Sequence, residues 1–362
     1  MDLGIVGLAQ SGKTTLFDAL TRGHSHTGGF GSLEPGIGVV KVPDQRLDKL
    51  SALIKAKKIT HLEVRFLDFP GSLSLRGEAT PPAYIASLAQ CDALVHVVRA
   101  FRDESVAHPE GSVDPQRDIA NVDLELAFGD MAALERRASK LDIEVRSARA
   151  GEREGGEREL VLLARLREAL EGEQPLRAQE LSPDERRMIS GYQLLTNKPL
   201  IVVVNIDEAD VARAGEIERE LAEQHAGRGV RVAVICAKLE RELIDLTDSE
   251  AAEFRTELGL AEGGLDRVVQ LSQQALGLIT FFTVGEQEGR AWAVAAGASI
   301  FEAAGKIHTD IQRGFIRAEV IGWQDLLDCG SYAEARKRGL LRTEGKQYIT
   351  QDGDTIHVLF NV

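Results

Sequence analysis

Eight residues, Gly7-Leu8-Ala9-Gln10-Ser11-Gly12-Lys13-Thr14, fit G-x-x-x-x-G-K-[ST] at every fixed position. Two glycines, a lysine and a hydroxyl at this spacing are the means of holding a polyphosphate. Backbone N–H groups face the oxygens, Lys13 reaches toward the terminal phosphates, and Thr14 offers its hydroxyl to Mg2+. The flanking residues supply the context this needs. Leu3-Gly4-Ile5-Val6 reads as a buried strand, and Thr15-Leu16-Phe17-Asp18-Ala19-Leu20 as the first turns of a helix, whose N-terminus adds roughly half a positive charge. A glycine-rich turn carrying Lys-Thr by chance is the bland alternative; the unbroken strand, loop and helix weigh against it.

Further residues extend the same chemistry. Leu62 to Leu67 alternates apolar and polar positions and ends at Asp68-Phe69-Pro70-Gly71, a D-x-x-G whose acid suits Mg2+ and whose glycine N–H suits a γ-phosphate. Ser32, in the polar stretch His24 to Ser32, is a second candidate hydroxyl for the metal, set against a plain surface serine; His24 and His26 read as solvated. For the base, Asn197-Lys198-Pro199-Leu200 precedes its strand and lacks the carboxylate of N-K-x-D. Asn205-Ile206-Asp207-Glu208 follows the strand but keeps only the asparagine. Glu208 is about one methylene too long for a bidentate grip on guanine, a misfit worth about 1–3 kcal/mol of discrimination, so adenine is the better fit. Ser72 stands where many switches carry a water-orienting glutamine, which predicts slow turnover. His108, in the irregular stretch Glu104 to Pro115, could orient water, but the sequence alone favours an exposed loop histidine.

Positioning these residues requires a sheet. Gly38 to Val42, Leu62 to Leu67, Ala93 to Val98, Leu200 to Val204 and Val230 to Ile235 read as its further strands, the last running into Cys236-Ala237-Lys238. The nearly unbroken apolar runs suit strands covered on both faces, and motifs at strand ends suit the carboxyl edge of an open parallel sheet. A helical insertion interrupts it. Leu124, Phe128, Met131, Leu134, Ala138, Leu141 and Val145 recur at steps of three and four, as do Leu160, Leu163, Leu166 and Leu170 beyond Gly151 to Gly156. Two antiparallel helices joined by a charged turn at those glycines are expected, followed by a helix start at Ser182-Pro183-Asp184-Glu185. Past residue 278, four short strands and one helix near Ser299 to Ile307 predict a small α+β domain of β-grasp type with nothing catalytic in it. The division is 1–121 and 196–278 for the nucleotide domain, 122–195 for the arm and 279–362 for the last domain.

Composition sets bounds. The 362 residues are 43% hydrophobic and 28% charged, as in ordinary globular chains, with a formal net charge of -14 that argues against broad nucleic-acid binding and against sequence-specific DNA recognition. Three scattered cysteines, no apolar run of ~18 residues and a Met1-Asp2 that runs directly into the first strand predict a cytoplasmic protein without signal peptide or membrane span, and a monomer is expected.

Taken together, the P-loop, the N-x-x-E, the arm and the last domain resemble the YchF/Obg-like ATPases, a branch of the TRAFAC class of P-loop NTPases. The likeness spans the whole chain and is carried most specifically by Leu33-Glu34-Pro35, Pro43 to Asp48, His96-Val97-Val98-Arg99, Glu110 to Pro115 and Ala304 to Asp310 running into Gly314 to Ile321. It implies a Ras-like domain, a coiled-coil arm and a C-terminal TGS domain, ATP preferred over GTP, dependence on Mg2+ and association with ribosomes. By motif position it implies that Gln10, Ser11, Gly12, Lys13, Thr14 and Thr15, with Ala9 beside them, hold phosphates. Thr14, Ser32 and Asp68 would face Mg2+, and Asn205, Ile206, Glu208 and Cys236-Ala237-Lys238 would form the base site. His108 falls on a loop histidine proposed to act on water, with Lys13 as the other catalytic residue. The chain departs from the family at Gln10-Ser11, Ser32, Ser72 and Ala79-Thr80-Pro81-Pro82, where two prolines restrict a switch segment. A nucleotide-stabilised scaffold with little hydrolysis and a GTP-specific Obg-type enzyme are the competing readings.

Overall fold

The computed structural model describes residues 1–23, 35–69, 71, 73, 82–258, 260 and 263–361. The described residues form twelve strands: β1 (Asp2–Val6), β2 (Gly36–Val42), β3 (Ile59–Thr60), β4 (Leu62–Asp68), β5 (Ala93–Arg99), β6 (Leu200–Asn205), β7 (Val230–Ile235), β8 (Leu278–Val284), β9 (Gly289–Ala295), β10 (Phe315–Gly322), β11 (Arg342–Glu344) and β12 (Asp354–Phe360). The helices that matter below are α1 (Lys13–Leu20), α2 (Gln45–Ile54), α3 (Pro82–Ala89), α4 (Pro115–Ser147), α5 (Ala150–Glu171), α6 (Pro183–Ile189), α7 (Ala214–Gln224) and α8 (Ala237–Leu243). Contacts divide the chain into two compact units, Met1–Val39 with Arg65–Ala275 and Val40–Val64 with Leu276–Val362.

The first unit is built on a six-stranded sheet ordered β2-β4-β1-β5-β6-β7, in which β1 pairs in parallel with both β4 and β5, and β5, β6 and β7 continue in parallel. Every residue of β5 and β6 is buried. Continuous apolar runs are what helices on both faces demand of a parallel sheet. This is a Ras-like P-loop NTPase core, as the sequence predicts.

The helical insertion is α4 and α5, packed side by side around Leu134, Leu141, Val145, Leu162, Leu163, Leu166 and Leu170. Asp114 caps α4 by accepting from the Arg117 N–H, with Pro115 in the first turn. The expected box at α6 is present: Ser182 accepts from the Glu185 N–H and the Glu185 carboxylate accepts from the Ser182 N–H. Two details differ from the sequence reading. The turn lies at Ala148 and Arg149, and α5 runs straight through Gly151, Gly155 and Gly156. Gly156 serves packing: a Cβ there would sit 2.3 Å from Val145 Cγ2, so the glycine lets the arms approach. Phe128, assigned to the seam, is 50% exposed; its neighbour Ala127 takes the buried seam position. Asp130, which the sequence did not single out, is buried and anchors the arm by accepting from the Leu195 and Thr196 N–H groups at 2.8 and 2.7 Å and from Thr196 Oγ1 at 2.6 Å. Burial pushes its carboxyl up to about 6 against those three bonds.

The second unit is a separate α+β body with sheet order β11-β10-β12-β8-β9-β3. β8 and β9 form a hairpin in full register from Leu278↔Ala295 to Val284↔Gly289, and β12 joins β8 in parallel. The predicted helix is Ile300–Ile307, boxed by Ser299 and Glu302. It is not alone. Thr309–Arg313, Trp323–Cys329 and Tyr332–Lys337 are also helical, each too short to display a 3.6-residue period in sequence. Helix α2 belongs here too: Leu47 and Leu50 pack against Phe282, Ile321 and Leu326, and Arg46 bonds Asp352 at 2.6 Å. No described helix is long and apolar enough to cross a membrane.

Candidate functional site

The G-x-x-x-x-G-K-T loop leaves β1 and enters α1, held in a shape that only its own residues tolerate. Gly7 (φ 148°) lies so close to β5 that a Cβ would meet the Val97 carbonyl oxygen at 2.4 Å. At Gly12 (φ 95°), the left-handed cap of α1, a Cβ would meet Asn205 Nδ2 at 2.3 Å. Gln10 is itself left-handed at φ 60°, a strained conformation for a residue with a side chain. The fold thus commits both glycines to a concave main-chain cradle.

Inside it, Lys13 Nζ donates to the Leu8 and Gly7 carbonyls at 2.8 and 3.2 Å. Burial pulls the ammonium down to about 8, with the Asp68 carboxylate opposing. Thr14 Oγ1 donates to Asp68 Oδ2 at 3.1 Å, joining the first turn of α1 to the end of β4. Burial pushes the Asp68 carboxyl up, while Thr14 and Lys13 pull against it. Ser11 is buried and its Oγ has no partner; Ala9 and Gln10 are exposed, and Thr15 is half-buried in α1. An ammonium satisfied only by carbonyls, an orphaned hydroxyl and a hydroxyl–carboxylate pair are the donor set that a polyphosphate with a divalent cation would satisfy. Ser32 and Ser72 lie outside the described residues.

Asn205, at the end of β6, bridges two loops. Its Nδ2 donates to the Ser11 carbonyl at 3.2 Å and its Oδ1 accepts from the Ala237 N–H at 2.9 Å. The buried Ile206 continues from it, and its N–H donates to the Ile235 carbonyl at 2.8 Å. Cys236 is buried at the start of α8, its thiol pushed up by burial, and Ala237 is fully enclosed. Glu208 and Lys238, both exposed, pair at 2.7 Å, and the carboxylate raises the ammonium. Asn205, Ala237, Glu208 and Lys238 therefore come together beside the phosphate cradle.

Sequence reasoning gave no role to Arg99 and Phe101. Arg99, 3% exposed, donates to the carbonyls of Phe101, Asp103 and Val106 and lies 4.5 Å over the Phe101 ring. It shapes the loop after β5. The one signal was an arginine closing a strand that is apolar but for His96.

His108 corrects an expectation. Its side chain is 5% exposed: Nε2 lies 2.9 Å from Asp118 Oδ2, and Nδ1 accepts from the Glu110 N–H at 3.1 Å. With Nδ1 accepting from the backbone, Nε2 is the nitrogen that faces Asp118, so neither nitrogen offers a free lone pair. Asp118, also buried, takes Arg117 Nε and Nη2 on its other oxygen. Sequence could not foresee this latch, because its carboxylate comes from the first turn of α4.

Residues 278–361 match the family model YchF-GTPase_C, described as "Protein of unknown function (DUF933)". The chain is 40% identical over 365 residues to the "Ribosome-binding ATPase YchF" of Bacillus subtilis, covering 99% of each protein, and 37% identical over 365 residues to that of Escherichia coli O157:H7, again covering 99% of each. Among solved structures, the YchF GTPase of Schizosaccharomyces pombe superposes with a TM-score of 0.86 at 30% identity, over 99% of this chain and 97% of that one.

Proposed function

The chain belongs to the YchF family of P-loop ATPases, and on that premise we propose that it is a ribosome-associated nucleotide switch that binds ATP with Mg2+ and hydrolyses it slowly. The observation that carries the reading is the Asn205 bridge, which ties the phosphate loop through Ser11 to the start of α8 through Ala237. One side chain thus holds the phosphate half and the base half of a nucleotide site in fixed relation.

In this reading the main-chain amides from Ala9 to Thr15 hold the phosphates, and Lys13 gives up its two carbonyl partners for phosphate oxygens. Thr14, Asp68 and Ser32 would hold Mg2+, which would supply positive charge against the charge that develops on the phosphates. Asn205, Ile206, Glu208 and Cys236-Ala237-Lys238 receive the base. Pairing of Glu208 with Lys238 occupies the carboxylate that a guanine reader would leave open, which supports ATP over GTP. His108 is the candidate to orient water once released from Asp118, and its latched state supports a slow intrinsic rate. The latch also favours the second reading, a scaffold with little hydrolysis. The division into 1–121, 122–195, 196–278 and 279–362 is part of the proposal, with the arm and last domain as contact parts.

Calorimetry and single-turnover hydrolysis test this together. ADP is expected to bind more tightly than GDP, ATP to release phosphate above buffer background, and Lys13→Ala to weaken ADP binding measurably and to abolish phosphate release. Tenfold tighter GDP binding overturns the adenine assignment; absence of phosphate release leaves the scaffold. Ribosome association is read by cosedimentation at moderate salt, and absence from the pellet in every nucleotide state refutes it.

A further inference from the structure

A cavity of about 610 Å3 opens where the first turns of α4, the end of α5 and the turn from α7 to β7 meet. Its size falls within the ~300–1,000 Å3 usual for small-molecule sites. No residue assigned above to phosphate, metal or base lines it. One wall is apolar, with Ile119, Leu124 and Leu170; the other carries Asp123, His225 and Arg228.

Several nitrogen atoms around Asp123 have no partner. Behind Asp123 stands Arg177, 3% exposed, whose Nη2 bonds Asp123 Oδ1 at 2.5 Å while Nε and Nη1 have no partner. Arg228 Nη2 lies 3.8 Å from the other Asp123 oxygen, and its buried Nε is also unpartnered, as is His225 Nδ1. Burial and the neighbouring guanidinium of Arg228 lower the His225 imidazole. Two guanidinium groups thus share the Asp123 carboxylate, and Arg228, whose side chain is 40% exposed, donates also to the Glu173 carbonyl at 3.4 Å. Buried N–H groups without acceptors are rare in folded proteins because each forfeits its hydration. What completes this wall is an anion.

We propose that the cavity is a second ligand site, for a small organic anion: a carboxylate or phosphate monoester on an apolar body, its head toward Arg228 and His225, its body against Ile119, Leu124 and Leu170. Bidentate capture by guanidinium suits either head group.

The test is calorimetric titration of the full chain, saturated with ADP and Mg2+ to occupy the phosphate loop, with phenyl phosphate and with benzoate. Inorganic phosphate and benzyl alcohol are the comparison probes. At least one organic anion is expected to bind one site per chain with a Kd of about 1 mM or below. Inorganic phosphate is expected to bind at least ~10-fold more weakly, and benzyl alcohol not measurably; the tighter of the two organic anions identifies the head group. Arg228→Gln removes the charge, and Ala120→Trp fills the mouth from an exposed position of α4. Each is expected to weaken binding at least ~10-fold, with the fold checked by circular dichroism. A Kd above ~10 mM for both organic anions, equal binding of inorganic phosphate, or unchanged affinity in both variants overturns the proposal and leaves a cavity that holds water only.

Discussion

Lys13 is an ammonium held in a cradle of carbonyls, and burial has drawn it down to about 8. Phosphate oxygens would restore the charged form, so the bound state holds more protons than the free state above that pH. Raising the pH from 7 to 9.5 is therefore expected to weaken ADP binding by several-fold, with proton uptake seen as buffer-dependent heats near pH 8.5; pH-independent affinity in Lys13→Ala assigns the effect to this residue. His108 invites a paired test. General bases contribute ~10²–10⁴-fold, and a ring latched most of the time contributes less, so His108→Ala is expected to lower single-turnover hydrolysis by about 10-fold. Asp118→Asn loosens the latch and is expected to raise the rate; equal losses in both variants mark the pair as structural. That Lys13, Thr14, Asp68 and Asn205 would come near one another was legible, because local motifs place them at the start of α1 and at the ends of β4 and β6. The burial of His108 was not, since sequence lacks the docking of its loop on α4.

At the scale of elements, caps could be read and glycines misled. Ser182 and Glu185 form the expected box, and Ser182→Ala is expected to cost about 1 kcal/mol in urea unfolding, with Glu185→Ala smaller on top of it. Gly151, Gly155 and Gly156 read as a turn because glycine breaks helices in isolation, yet α5 continues through them. The contact between Gly156 and Val145 explains the last. Alanine is the better helix former by about 1 kcal/mol, but overpacking of this kind costs about 1–3 kcal/mol, so Gly156→Ala is expected to destabilise by about 1 kcal/mol. Adding Val145→Ala should then cost less than it does alone, and strict additivity of the two changes would remove the steric account.

For the whole molecule, the sequence reading assigned 40–64 no part in the last domain, while contacts group it with Leu276–Val362. No local pattern announces this. An amphipathic helix such as α2 shows in sequence that it needs a partner, but not which one, and Leu47 and Leu50 find theirs in Phe282, Ile321 and Leu326. Each of those leucines is fully enclosed, so Leu50→Ala is expected to cost about 2–5 kcal/mol, read as a lower thermal midpoint for a C-terminal reporter such as Trp323 fluorescence. A chain cut after residue 277 would leave both leucines uncovered and is expected to aggregate, with Leu47→Gln and Leu50→Gln restoring solubility. The Arg46–Asp352 bond joins positions 306 apart, and this interval has meaning in time. At ~5–20 residues per second, the nascent chain waits about 15–60 s between emergence of one partner and the other. Until Phe282 and Ile321 have emerged, the apolar face of α2 has no surface to settle on, so completion of this packing is paced by translation.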